Sequence, residues 1–191
     1  MQITHGFEVA RTVDAVWELF QDVPSVAQCL PGATLTEDKG GHVYAGNIAV
    51  KLGPIAATFE GEATVTHDEP NRSALIDGRG VDKRGGSRGQ VKVTYTLTPT
   101  ATGGTRVAID ADVTLAGPAA QFGRTGLINE MSKRLISDFA SCLEAKMAAP
   151  TETAAGAIVA PDVKPMALLW AGLVASLGRL LARLLGRRQA R

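Results

Sequence analysis

Apolar and polar residues alternate through most of the chain between Ala33 and Leu115. Turn-forming residues interrupt the alternation about every ten positions, which is the signature of short antiparallel strands. Thr34–Glu37 and Val43–Leu52 flank Asp38-Lys39-Gly40-Gly41 as a hairpin. Gly53-Pro54 breaks the second strand, and Ile55–His67 follows, with Ala57, Phe59, Gly61, Ala63 and Val65 on one face and Glu60, Glu62, Thr64 and Thr66 on the other. Asp68-Glu69-Pro70-Asn71 turns the chain into Ser73–Val81, and Gly85-Gly86-Ser87 leads into Gly89–Thr98. Thr102-Gly103-Gly104 then closes a hairpin onto Thr105–Leu115. Val91, Val93, Tyr95, Leu97, Val107, Ile109, Ala111, Val113 and Leu115 form the inward face of these last two strands. A further strand is predicted over Gln2–Ala10, where Ile3, His5, Phe7 and Val9 alternate with polar partners.

The period lengthens on either side of the strand region. Thr12 caps a short helix running to Phe20, whose buried face is Ala15, Val16, Leu19 and Phe20, flanked by Trp17. A second short turn of helix leads to Cys29-Leu30-Pro31-Gly32. From Pro118 to Met147 one long helix is predicted. Leu127, Met131, Leu135, Phe139 and Cys142 make its apolar stripe with Ile128, Ile136 and Leu143, while Glu130, Lys133, Arg134, Asp138 and Glu144 face solvent. Gly123 and Gly126 weaken its first turns. A sheet with one apolar face needs such a cover. The predicted fold class over residues 1–147 is therefore α+β: a curved antiparallel sheet wrapped around a long C-terminal α-helix.

Many positions read as inward are small: Ala45, Gly46, Ala57, Gly61, Ala63, Gly78, Gly80 and Ala111. Small residues on a curved sheet either let the helix sit close or leave a cavity, open here at the glycine-weakened end of the helix.

Residues 148–165 (AAPTETAAGAIVAPDVKP) lack periodicity and read as a flexible linker. Met166–Leu185 would make a helix of about 30 Å, just long enough to span a bilayer core. Two observations argue against spanning. Arg179 and Arg183 lie inside the segment, and the basic end, Arg187-Arg188-Gln189-Ala190-Arg191, would put the folded domain on the far side. On a helical wheel Gly172, Ser176, Arg179 and Arg183 fall on one stripe. Leu168, Leu169, Leu173, Leu177, Leu180, Leu181, Leu184 and Leu185 cover the rest, with Trp170 near the start. That pattern fits an amphipathic helix lying in the interface, with Trp170, Leu173, Leu177, Leu180, Leu181 and Leu184 in the lipid and Arg179, Arg183, Arg187 and Arg188 at anionic headgroups. The alternative is a helix that binds a protein partner.

Charge sharpens this division. Residues 1–150 carry 14 Lys+Arg against 17 Asp+Glu, whereas residues 151–191 carry six against two. A mildly acidic domain is not built for nucleic acid, and a basic apolar tail suits an anionic membrane. The N-terminal MQITHGFEVA reads as a strand rather than a signal peptide, so the domain is expected at the cytoplasmic face of the cell membrane. In that compartment Cys29 and Cys142 are expected as separate reduced thiols rather than a disulfide.

Catalytic patterns are missing from the sequence. His5, His42 and His67 are isolated from one another, no Cys-x-x-Cys occurs, and Gly78–Gly89 lacks the ending of a phosphate loop. Asp110 with Asp112, and Glu60 with Glu62, share outward strand faces and read as solvated surface. Tyr44, Tyr95 and His67 point inward, where each is either a satisfied core group or a hydrogen-bond partner for a ligand carbonyl. No metal and no tightly bound cofactor are expected.

Val16-Trp17, Cys29-Leu30-Pro31-Gly32, Tyr44-Ala45-Gly46, Val50-Lys51-Leu52-Gly53-Pro54, Phe59-Glu60-Gly61, the Gly78–Gly80 strand and Ala119-Ala120-Gln121-Phe122-Gly123 together resemble a known family. This is the CoxG family of carbon monoxide dehydrogenase accessory proteins, within the helix-grip superfamily of START-domain and polyketide-cyclase-like proteins. The resemblance covers residues 1–147. It implies a non-catalytic accessory protein of a carbon monoxide dehydrogenase-type molybdenum enzyme, and a cavity holding a hydrophobic small molecule. From that context the molecule is expected to be a quinone or another isoprenoid lipid. The expected lining is Trp17, Phe20, Phe59, Tyr95, Leu115, Phe122, Leu127, Met131 and Leu135. The rival readings are a cyclase- or dehydrase-like enzyme on a hydrophobic substrate, and a maturation adaptor with a filled core.

Overall fold

The computed structural model describes residues 1–52, 55–124, 127–149 and 152–160. The chain opens with strand β1 (Gln2–Val9), then helices α1 (Val13–Gln21) and α2 (Val23–Ala27). Six strands follow: β2 (Ala33–Asp38), β3 (Val43–Leu52), β4 (Ile55–Asp68), β5 (Ser73–Asp82), β6 (Ser87–Pro99) and β7 (Thr105–Ala116). A 3₁₀ segment (Gly117–Arg124), helix α3 (Leu127–Ala148) and the short α4 (Glu152–Gly156) complete the described chain. The predicted order of elements is the observed one.

The strands form one antiparallel sheet in the order β1-β7-β6-β5-β4-β3-β2, so a meander from β2 to β7 is closed by the first strand pairing with the last. Four neighbouring strands carry glycine at one register position on the inner face: Gly46, Gly61, Gly80 and Gly89, with Leu115 of β7 next in the row. Gly61 is required there. A Cβ on it would stand 1.9 Å from the Arg79 carbonyl oxygen, so only glycine lets β4 and β5 approach this closely and the sheet bend. Ala45, read as inward beside Gly46, faces outward instead. It pairs with Glu62, while its neighbour Tyr44 packs on the core, and strand alternation cannot turn both the same way.

Thr12 caps α1 by accepting from the Ala15 amide, and Asp22 caps α2 by accepting from Ser25. The long helix begins later than predicted. Its expected first turns, from Pro118, form the 3₁₀ segment instead. Gly117 turns with φ +75°, and the Ser87 hydroxyl accepts from the Ala119 amide, tying this stretch to the start of β6. α3 lies against β1: Phe139 meets Phe7 edge-on at 6.0 Å, and the His5 ring hydrogen-bonds Ser132 Oγ at 2.9 Å.

The two cysteines are joined, not free. Cys29, just after α2, is disulfide-bonded to Cys142 on α3, with both side chains buried. The linker reading is also corrected in part. α4 forms within it, the Ala160 amide donates to the Gln28 carbonyl, and buried Lys146 donates to Gln28 Oε1 at 2.7 Å and the Ala155 carbonyl at 3.0 Å. Ile158 packs on the core, so this stretch folds back on the domain. Among the described residues no helix is long and apolar enough to cross a membrane. The predicted membrane helix, with Trp170, Leu173, Leu177, Arg179, Leu180, Leu181, Arg183, Leu184, Arg187 and Arg188, lies outside the described residues.

Candidate functional site: an apolar strip between two cores

The buried residues fall into two clusters. The larger gathers Val16, Trp17 and Phe20 of α1, Cys29, Val65, Ala74, Tyr95, Leu97 and Val107 of the sheet end, and Phe139, Cys142 and Leu143 of α3. The smaller is Ala57, Phe59 and Ala119, with Ile48, Val50, Leu115 and Met131 packed against it. Two register rows of the inner face run across the space between them, the second meeting the larger cluster at Val65 and Ile76. Ala63, Gly78, Val91 and Val113 make one, and Val65, Ile76, Val93 and Ala111 the other. Ala63, Val91, Val93, Ala111 and Val113 face inward yet belong to neither cluster and are only half-buried. The sheet thus presents an apolar strip that the described residues do not fully cover.

The expected lining residues separate accordingly. Trp17, Phe20 and Tyr95 stand together in the larger core, with the Phe20 and Tyr95 rings 4.9 Å apart. Phe59, Leu115 and Met131 meet in the smaller one, where Phe59 covers Gly80 and Gly89. Leu135 is half-buried on α3, between Met131 and Phe139. Phe122 and Leu127 fall in the stretch 122–129, whose side chains lie outside the described residues.

Sequence spacing gives no sign of one grouping. His42 and His67, isolated in sequence, stand 5.6 Å apart, and the Trp17 ring meets His67 edge-on at 5.7 Å. His42, exposed at the edge of this group, takes a left-handed backbone (φ +63°) that follows Gly40 and Gly41 in the same region. The Arg72 guanidinium also sits 5.6 Å from the Trp17 ring and pairs with Asp14 of α1. Within this group Trp17 Nε1, His67 Nε2 and Tyr95 Oη are buried and have no hydrogen-bond partner among the described residues. Burial pushes the Tyr95 phenol well above its ordinary value, so it stays protonated at neutral pH.

The acidic pairs are surface groups, as their strand positions predict. Glu60 pairs with Lys83 and Glu62 with Lys39, whose ammonium holds the Glu62 carboxyl below the usual range. Asp110 accepts from Thr4, and Asp112 from the N-terminal ammonium.

An antiparallel meander gripping a C-terminal helix, with an apolar inner face, defines the helix-grip, START-like class. Solved structures share this fold. A conserved protein from Geobacillus kaustophilus is 21% identical, covering 78% of this chain and 95% of its own, with a TM-score of 0.66. A START superfamily protein from Mycobacterium smegmatis is 13% identical, over 76% and 96%, with a TM-score of 0.52. The Zhui aromatase/cyclase from Streptomyces sp. R1128 is 15% identical, over 77% and 93%, with a TM-score of 0.53. The sequence model of the carbon monoxide dehydrogenase G-subunit (CoxG) family matches residues 6–148, and the chain belongs to that family. A search of curated proteins finds no match.

Proposed function

We propose that this chain is a membrane-associated, non-catalytic accessory protein that carries a hydrophobic ligand, a quinone, for a carbon monoxide dehydrogenase-type molybdenum enzyme. It recruits that enzyme to the cytoplasmic face of the cell membrane and links it to the respiratory chain. The observation that carries the ligand-binding part is the strip of Ala63, Val91, Val93, Ala111 and Val113, which the described residues only half cover, since apolar surface inside a fold favours an apolar guest. The family's name supports the enzyme partner. The leucine and arginine pattern of residues 166–191 supports docking on anionic lipid.

A second reading, a cyclase- or dehydrase-like enzyme, draws on the unpartnered Tyr95 hydroxyl and His67 nitrogen.

Native mass spectrometry and lipid extraction of the full chain, purified from its host's membranes, test the carrier. A quinone or other isoprenoid at about one per chain is expected. An empty protein that still captures the dehydrogenase overturns the carrier and leaves a tether. Deleting residues 166–191 is expected to release the folded domain from membranes, and membrane binding that persists would rule out the tail as anchor.

A further inference from the structure

Unpartnered buried polar atoms are uncommon, because each forfeits its hydrogen bonds to water with nothing in return. Among the described residues Trp17 Nε1, His67 Nε2 and Tyr95 Oη are three such atoms, all in the larger core region under α1. His67 on β4, Ala74 on β5 and Tyr95 on β6 occupy one register row of the inner face, so the two polar side chains flank a residue with almost no bulk. α1 lies over that row, with Trp17 against His67 and Phe20, one turn later, against Tyr95. The next row along the same strands, two residues away, is Val65, Ile76, Val93 and Ala111, which borders the apolar strip.

We infer that Trp17, His67 and Tyr95 form a buried polar seat at the inner end of the strip, which takes the carbonyl oxygen of an otherwise apolar, uncharged ligand. The inference rests on the carrier reading and deepens it. An indole N–H can only donate, and a phenol kept protonated by burial donates as well, so the seat offers at least two donors and calls for an acceptor. An anion is poorly matched, because Arg72, the cation held against the Trp17 ring, is already engaged by Asp14. A ligand bearing only donors would leave Trp17 unsatisfied. A neutral carbonyl at the end of an apolar body suits both the seat and the strip.

Equilibrium binding to the full chain separates the possibilities, using menadione and methylnaphthalene, two probes of the same bicyclic skeleton with and without carbonyl oxygens. The wild-type chain is expected to bind menadione more tightly. Tyr95→Phe, which removes only the hydroxyl, is expected to weaken menadione about two- to tenfold, the worth of one hydrogen bond, and to leave methylnaphthalene unchanged. Trp17→Phe, which also removes ring bulk, is expected to weaken menadione more than methylnaphthalene by a similar factor. Infrared difference spectra of bound menadione add a direct readout. The carbonyl stretch is expected at lower frequency in the wild-type protein and shifted back in either variant. If one variant fails to fold, as judged by its thermal transition, the other carries the test. Equal binding of the two probes, or variants that weaken both alike, overturns the seat while leaving the carrier standing, with buried water as the partner of these atoms. A wild-type chain that binds neither probe overturns both.

Discussion

Gly61 of β4 and Gly80 of β5 face each other so closely that the missing Gly61 side chain is what permits the contact. A Cβ on Gly61 would stand 2.6 Å from the Gly80 Cα. Gly61→Ala is therefore expected to lower stability by about 1–3 kcal/mol or more, since backbone rather than a pliable side chain must move. Gly156→Ala is the control, with nothing within 4 Å of the new atom. Urea unfolding of both checks this, and a Gly61→Ala midpoint equal to that of wild type would show the sheet can flatten there.

The bond between Cys29 and Cys142 closes a separation of 113 residues. The non-reduced chain is expected to contain no titratable thiol even when denatured. Replacing both cysteines with serine is expected to cost about 2–5 kcal/mol of stability. Thiol titration in denaturant checks the first point, and two free thiols per chain would refute the pairing.

Lys146 joins α2 to the stretch beyond α3 through Gln28 and Ala155. Lys146→Met keeps the buried stem and removes both donated bonds. It is expected to speed amide exchange at Ala160 and to expose residues 152–160 to proteases while leaving β4 to β7 protected. Unchanged exchange at Ala160 would show that Ile158 packing alone holds this stretch.

Tyr95 makes alkaline stability sensitive to one residue. Its folded-state pKa is raised by burial above the ordinary 10.0, so above pH 10 the unfolded chain releases a proton that the folded chain keeps. Stability is then lost as pH rises, by about 1.4 kcal/mol per unit from this group, until the folded pKa is reached. Tyr95→Phe is expected to flatten that decline. Parallel curves for the two proteins between pH 9 and 11 would show the phenol reaches water.

The strands are legible in the sequence because period-two alternation and Gly/Pro punctuation are local signals. The stripe of Phe139, Cys142 and Leu143 is legible because it repeats at helical spacing. The disulfide is not, because nothing local says that the end of α2 meets α3 across 113 residues. The meeting of His42 with His67 depends on a left-handed turn at Gly40, Gly41 and His42 that alternation does not encode. Alternation does turn Tyr95 and His67 inward, as observed, but their lack of partners among the described residues is a property of three-dimensional neighbours. The division of the expected lining residues between two clusters is hidden for the same reason. Strand parity says which face a residue takes, not which end of the sheet is packed.

The way the chain leaves the domain has a mechanical consequence. Ala160 is held at Gln28, beside the larger core, while Phe59 and Met131 lie toward the other end of α3, about 22 Å away along the helix from Lys146 to Met131. Residues 161–165 reach at most about 18 Å when extended. If the tail docks on a bilayer as proposed, it would hang the domain by its heavier end, like a pendulum. A guest leaving past Phe59 would then emerge away from the bilayer, and one drawn from the lipid would require the bob to swing over first.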